Sequence, residues 1–123
     1  MPTEPQPLTL AQLVHRAAEV TDPDGADEDV VQLAQRFEDA DWPVSGILDD
    51  IEQRMAEAAG TIDPQEDSPT LQMTVAVSVY LAYRRDEVGL DPQDILRLAA
   101  RAEYNGNPPD SVSAWLDEQG VTI

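Results

Sequence analysis

Apolar residues recur with a period near 3.6 along most of the chain, which is typical of amphipathic helices. The first run begins at Leu10 and predicts a helix capped by Thr9, because Gln12 stands three residues later, at capping-box spacing. Residues 1–8 are rich in proline and predict a flexible tail ahead of this helix. The predicted buried face consists of Leu10, Leu13, Val14, Ala17 and Ala18.

Two further helices are predicted over about residues 28–40 and 43–59. Glu28 and Asp29 suit the positive end of the first helix dipole. Gly60 suits the position that ends the second helix in the left-handed conformation. Their predicted buried faces are Val30, Leu33, Ala34 and Phe37 in the first helix, and Ile47, Leu48, Ile51, Met55, Ala58 and Ala59 in the second.

The segment 71–83 carries two conflicting patterns. Its apolar residues alternate with smaller or polar ones and several are β-branched, which is typical of a strand. No other segment offers a partner strand, and an unpaired strand would leave its backbone N–H and C=O groups unsatisfied. Ser68 and Pro69 form a helix start, with serine as N-cap and proline in the first turn. We therefore predict a helix over about 69–88 that is apolar on nearly all sides and lies at the centre of the fold.

Two short helices are predicted to complete the chain. Asp91–Pro92 repeats the start seen before the central helix, and Gly120 ends the last helix, for which Asp110 or Ser111 is the expected cap. Their predicted buried residues are Ile95, Leu98, Ala99, Ala102, Val112, Trp115 and Leu116. The predicted fold class is all-α: one compact domain over 9–123, with five or six short helices around the central apolar helix.

The charge of the chain is distributed unevenly. The formal net charge is −18; residues 22–67 carry fifteen acidic residues against two arginines, whereas residues 68–105 carry five against four. Every basic residue is an arginine. Such a composition arises from GC-rich codon usage, from adaptation to high salt, or from an acidic binding function, and the sequence leaves these three explanations open. Charge informs association and solubility, not the fold.

Composition also narrows the range of functions. Without cysteine there is no disulfide and no thiolate chemistry. The single histidine, His15, is expected to be exposed and to pair with Glu19 four residues later. The acidic turn that begins at Asp22 fails as a calcium loop, because Asp27 and Leu33 occupy the positions that need glycine and a bidentate glutamate. We expect no cofactor, no metal site and no catalytic residue.

Localisation and general partners follow from the same features. The longest apolar run, Met73–Tyr83, is too short to span a bilayer, and the N-terminus lacks the basic-then-apolar order of a secretory signal. The high negative charge disfavours direct binding to nucleic acids or to anionic membranes, since both require cationic residues. We expect a cytoplasmic protein that contacts neither.

The favoured function is a small, non-enzymatic protein-interaction module, of the adaptor, inhibitor or immunity type, that binds a protein with a basic surface. One alternative is a nucleic-acid mimic that inhibits a DNA- or RNA-binding protein; it requires carboxylates arrayed along one face without an apolar gap. The other is a small pocket enzyme or ligand carrier that uses carboxylates; it requires two converging acids with raised pKa values.

Two groups of charged residues are candidates for binding. The candidate acidic interaction surface comprises Glu38, Asp39, Asp41, Asp49, Asp50 and Glu57. The arginine patch, a candidate for binding an anion or a second copy in a weak homodimer, comprises Arg84, Arg85, Arg97 and Arg101. Tyr83 or Tyr104 would provide the apolar centre of such a dimer. Trp42 is predicted to fill the core between helices.

Overall fold

The computed structural model describes residues 8–65, 67–84 and 87–122, and these residues form six α-helices and no β-strand. The helices are α1 (Leu10–Thr21), α2 (Glu28–Arg36), α3 (Ile51–Ile62), α4 (Pro69–Tyr83), α5 (Pro92–Tyr104) and α6 (Asp110–Glu118). The predicted all-α fold class is confirmed. The predicted tail lies outside the described residues except for Leu8, which packs partly buried against the core.

The segment 71–83 is helical and lies at the centre of the fold, as predicted. α4 packs against α1, α2, α3, α5 and α6. Its buried residues lie on all sides of the helix: Leu71, Met73, Thr74, Ala76, Val77, Ser78, Val79, Leu81 and Ala82. Two hydroxyls in this set donate to their own helix, Thr74 Oγ1 to Thr70 O and Ser78 Oγ to Thr74 O, both at 2.8 Å. The strand-like alternation therefore belongs to a helix that is surrounded by neighbours and needs no polar face.

The central helix ends at Tyr83, before the predicted end near Val88. Arg84 is the C-cap and no longer has helical dihedral angles. Beyond it, Arg16 of α1 donates from Nε to Val88 O and from Nη2 to Leu90 O, both at 2.9 Å. Arg16, which is distant in sequence, therefore supplies hydrogen-bond donors to two carbonyl groups of the α4–α5 connection. These two carbonyl groups do not need helical hydrogen bonds.

Four helix starts carry side-chain caps. Thr9 and Gln12 form the predicted capping box at the start of α1. Ser68 accepts the N–H of Leu71 at 3.2 Å, and Asp91 accepts the N–H of Gln93 at 2.9 Å. The fourth cap, Asp27, binds two N–H groups at the start of α2. In each case the donor and the acceptor lie within three residues of each other, so the interaction is encoded locally.

The segment between α2 and α3 differs from the prediction. α2 ends at Arg36 and not near Ala40, and the helix expected from Pro43 begins only at Ile51. Two short 3₁₀ turns, Val44–Gly46 and Leu48–Asp50, precede it. The reason is a tertiary contact: the chain ahead of α1 and the chain around Pro43 pair through hydrogen bonds between Leu10 N–H and Trp42 O (3.0 Å) and between Val44 N–H and Leu8 O (2.9 Å). This pairing holds residues 42–44 to the chain ahead of α1, and the helix therefore starts later.

The predicted end of α3 at Gly60 is wrong. The helix continues through Gly60 to Ile62, and the N–H of its C-cap, Asp63, binds Ala59 O. Open space surrounds Gly60 and its φ lies outside the left-handed region, so no feature of the backbone requires glycine here. By contrast, Gly120 has φ +76° and follows α6, where a residue with a left-handed backbone was predicted.

The buried face of α5 is also rotated from the predicted one. Leu98 is only partly buried and Ala102 is exposed, whereas the buried residues are Ile95, Leu96, Ala99 and Ala100. α5 packs against both α4 and α1, and this double contact decides which stripe faces inward. In α6 the predicted buried residues are confirmed, but its N-cap is Pro109, and neither Asp110 nor Ser111 caps it.

Candidate interaction surface

Trp42 lies at the surface, where 51% of the residue is exposed. The prediction that it fills the core is wrong. Its carbonyl group is fixed by the N–H of Leu10, and the core beside it is already occupied by Phe37, Ala40 and Val44, all of them buried. The backbone pairing ahead of α1 therefore fixes residue 42 at the surface, beside this part of the core.

Arg54 of α3 covers part of the exposed indole. Its guanidinium carbon lies 5.4 Å from the centroid of the Trp42 ring. At exposed sites such cation–π contacts contribute about 0.5–1 kcal/mol, enough to favour one orientation of the two side chains. The indole and the guanidinium thus form one composite surface from the α2–α3 connection and α3.

An open groove of about 600 Å³ surrounds this pair, between the end of α2 and α3. Its lining residues are Arg36, Phe37, Asp39, Ala40, Trp42, Arg54, Glu57, Ala58 and Thr61. Within the described part of the chain, the guanidinium groups of Arg36 and Arg54 form no ion pair or hydrogen bond. We call the polar and aromatic part of this groove, namely Arg36, Asp39, Trp42, Arg54 and Glu57, the Trp42 face.

The acidic residues predicted as an interaction surface are all exposed. Glu38, Asp39 and Asp41 follow α2, Asp49 and Asp50 lie in the second 3₁₀ turn, and Glu57 is on α3. The structure brings two of them, Asp39 and Glu57, to the groove that Trp42 lines. The Glu57 carboxylate also accepts a hydrogen bond from Gln53 at 3.0 Å. Sequence reasoning found these acids but missed Arg54, and it assigned Trp42 to the core because tryptophan is highly buried on average.

The arginine patch has a mixed environment. Arg97 Nη1 lies 3.0 Å from Asp94 Oδ1 on the same helix, so its charge is already paired. Arg101 is exposed. Arg84 lines a groove that also contains acidic residues, and Arg85 lies outside the described residues. Tyr83, one candidate centre of a dimer, is 56% exposed and donates its hydroxyl hydrogen to Leu48 O at 3.1 Å.

The groove beside Arg84 brings two carboxylates together from different helices. It has a volume of about 260 Å³ and contains Glu52 of α3, Glu103 of α5, and Tyr83. Partial desolvation of its carboxyl group raises the pKa of Glu103, and the negative charge of Glu52 adds to the effect. Nothing in the sequence relates these two acids, which lie far apart along the chain.

His15 is exposed, and its Nε2 lies 3.0 Å from Glu19 Oε1, as predicted. It borders a second open groove of about 580 Å³, between α1 and α2. Sequence reasoning missed this groove. One sequence feature could have indicated this groove: small residues on one face of α1, with Ala11 and Ala18 on either side of His15 at helical spacing.

Within the part of the chain that the structure describes, no three His, Cys, Asp or Glu side chains are arranged to hold a metal ion. No helix among those residues has the length and apolar character needed to cross a membrane. Comparison with known proteins finds no matching protein-family model, no matching curated protein and no matching solved structure.

Proposed function

We propose that this chain is a non-enzymatic protein-interaction module, and that it binds a basic surface of a partner protein through the Trp42 face. The observation that supports this most directly is the half-exposed indole of Trp42, held in place by Arg54 and bordered by Asp39 and Glu57. Tryptophan and arginine are the residue types that most often dominate binding energy at interfaces, especially when they sit in a groove surrounded by polar residues.

The two arginines and two acids of the Trp42 face balance each other, and the carboxylates next to it in sequence favour a basic partner. Four further exposed carboxylates lie nearby in sequence, in the turn after α2 and in the second 3₁₀ turn: Glu38, Asp41, Asp49 and Asp50. Such carboxylates attract a positive surface from a distance and increase the association rate, whereas the apolar centre provides the affinity. Exposed ion pairs alone contribute only about 0–1 kcal/mol each. A cytoplasmic location is part of this proposal.

The same geometry disfavours the nucleic-acid mimic. A mimic needs an unbroken array of carboxylates, but here Trp42, Arg36 and Arg54 lie between Asp39 and Glu57 in one groove.

Affinity capture with matched variants tests the proposal. The wild type, Trp42→Ala and Leu90→Ala are immobilised, and the proteins that they retain from the source cells are identified. Leu90 is the matched control, because it is also a partly exposed apolar residue, at 39%, in another part of the surface. We expect a basic partner whose affinity falls about 10- to 100-fold with Trp42→Ala, the range typical of a central interface residue. Leu90→Ala should bind like the wild type, and a folded Trp42→Ala with unchanged affinity overturns the proposal.

Salt and competitor experiments then identify the type of partner. Binding should weaken as potassium chloride rises above physiological concentration, because the carboxylates around the face are exposed and are screened by salt. A DNA duplex should not displace the partner. Displacement by DNA would support the mimic and count against the interaction module proposed here.

Glu52 and Glu103 support a second candidate, a pocket enzyme or ligand carrier. They are converging acids from α3 and α5, and the pKa of Glu103 is raised. Perturbed carboxyl groups in a groove are a recognised sign of a functional site. Screening a library of small polar molecules by NMR tests this candidate. Shifts confined to Glu52, Glu103 and Tyr83, and absent in Glu103→Gln, would favour it over the interaction module.

A further inference from the structure

The groove between α1 and α2 has a small and largely apolar floor. Ala11 and Ala18 of α1 and Val31 and Ala34 of α2 line it, and each of these residues is only partly buried. Short side chains at such positions allow the backbone of another helix to approach closely. No described residue from another helix lines this groove.

The groove has the dimensions of a short helix. The residues that line it along α1 and at its C-cap include Ala11, His15, Ala18 and Asp22, which follow one another at helical spacing on a single face. At a rise of 1.5 Å per residue, this row is about 16 Å long. A helix of about three turns covers that length, and the spacing of small residues suits apolar side chains at positions i, i+3 or i+4, and i+7.

Acidic residues mark both ends of the groove. α1 and α2 are antiparallel, because the turn after Asp22 joins them and the N–H of Ala11 binds Ala40 O beyond the end of α2. Asp22 therefore lies at one end of the groove and Glu38 at the other. The Asp22 carboxylate accepts the N–H groups of Ala26 and Asp27 at 3.1 and 3.0 Å, which fixes its position.

None of the arginines among the described residues lines this groove, in contrast to the Trp42 face. The acidic residues that line the groove, Asp22 and Glu38, therefore offer negative charge to a bound segment. Glu19, one helical turn from His15, carries another carboxylate, which lies 3.0 Å from His15 Nε2 and 3.9 Å from Arg16 Nη1. A segment with basic residues at its ends and apolar residues on one face complements both the floor and the ends.

We infer that the α1–α2 groove binds an amphipathic helix of the partner protein, about three turns long, with its apolar face on the alanine-lined floor and lysine or arginine near both ends. This inference rests on the proposed function: it gives the same basic partner a second contact, in a groove whose Glu38 precedes Asp39 of the Trp42 face. The mode of binding is a helix in a groove, in which the apolar anchors give affinity and the flanking charges fix the direction.

The test uses the full chain and two synthetic peptides of fifteen residues made from leucine, alanine and lysine. In the first, the leucines fall on one helical face and the lysines lie toward the ends. The second has the same composition, but its leucines are distributed around the helix. Binding is followed by ¹⁵N–¹H NMR of the protein and by circular dichroism of the peptide.

We expect the amphipathic peptide to become helical and to shift the resonances of the residues that line the groove. Its affinity should fall at least tenfold with Ala34→Arg, because the new side chain fills the groove and repels lysine. Ala114→Arg is the matched control: it adds the same charge at an exposed alanine of α6. If Ala34→Arg does not fold, Ala18→Arg places the same side chain on the opposite wall.

Three results overturn the inference: equal binding of both peptides, shifts spread over the acidic surface outside the groove, or a bound peptide that is not helical. The outcome is separable from that of the proposed function. If a partner depends on Trp42 but the peptide does not bind specifically in the groove, the interaction module is supported and the helix inference is wrong. If the peptide binds specifically in the groove but Trp42→Ala does not change partner affinity, the Trp42 face is not the interface and the α1–α2 groove is.

Discussion

The hydroxyl oxygens of Thr21 and Thr74 lie 2.7 Å apart in the buried contact between α1 and α4. Thr21 Oγ1 also lies 2.9 Å from Ala17 O, and Thr74 Oγ1 lies 2.8 Å from Thr70 O. Three hydrogen-bond contacts therefore share two hydroxyl hydrogens. Two arrangements are possible. In the first, one threonine donates to the other and makes no hydrogen bond to the carbonyl group of its own helix. In the second, both threonines donate to their own helices and no hydrogen bond joins the two hydroxyls.

Replacing either threonine by valine is therefore expected to cost little. In Thr21→Val or Thr74→Val, the remaining hydroxyl still has a backbone carbonyl to donate to, so no buried donor is left without a partner. We expect each variant to lose about 0.5–1.5 kcal/mol of unfolding free energy, the value of one ordinary hydrogen bond. Two hydroxyl hydrogens make two bonds at any moment and each valine removes one of them, so the double variant should lose about the sum of the two single losses, as chemical denaturation can measure. A double loss well below that sum would contradict this count, because it would mean that each single variant loses more than one bond.

Val77→Asp is expected to prevent folding. Val77 is fully buried in α4, and an unpaired carboxylate there must be desolvated without compensation. We expect a loss of more than about 4 kcal/mol, which exceeds most single-substitution effects. Val75→Asp, at a partly exposed position of the same helix, is the control and should retain a helical circular dichroism spectrum. A folded Val77→Asp with wild-type thermal stability would contradict the central position of this residue.

Added salt is expected to stabilise the fold up to a point. Fifteen acidic residues between positions 22 and 67 repel one another, and the Debye length near physiological ionic strength is about 8–10 Å, so screening weakens this repulsion. The attractions that salt also weakens are few: the described residues contain three ion pairs, His15–Glu19, Arg16–Glu19 and Arg97–Asp94. The melting temperature should rise from low to molar potassium chloride. A flat or falling series would mean that the acids do not repel one another enough to matter.

Mild acidification is expected to stabilise the fold through Asp29 and Glu103. The pKa of Asp29 is raised by desolvation and by three neighbouring carboxylates, and that of Glu103 by desolvation and by Glu52. A carboxyl group with a higher pKa in the folded than in the unfolded state favours folding when it is protonated. The ionised carboxylate destabilises the fold fully at pH values above its pKa in the folded state. This destabilisation decreases as the pH falls through that pKa and is gone below the pKa of the unfolded state.

Melting curves between neutral pH and the ordinary range of carboxyl pKa values measure this effect. Asp29→Asn and Glu103→Gln should each raise the melting temperature at neutral pH and reduce its increase on acidification. Glu38→Gln removes the same charge at an exposed position after α2 and serves as the control. An equal response of Glu38→Gln and Glu103→Gln would show that total charge, not local environment, controls the pH dependence.

Local signals in the chain were sufficient to predict the fold class and several of the helix starts. Thr9 with Gln12, Ser68 before Pro69, and Asp91 before Pro92 all act within three residues, so the pattern is sufficient to predict them. The helical state of α4 followed from its capped start and from the lack of a partner strand. The acids of the candidate surface were also predictable, because clustered charges must remain in water.

Which side chains meet at the surface depends on how the helices pack against one another. Trp42 is exposed because the backbone pairing of residues 42–44 with the chain ahead of α1 fixes its position at the surface. Glu52 meets Glu103, and Arg16 binds the carbonyl groups of the α4–α5 connection, through the packing of helices that are distant in sequence. Periodicity predicts that a helix has a buried face, but the neighbours of that helix set its rotation and its end. Contacts of this kind depend on the relative placement of whole elements, which no local pattern encodes.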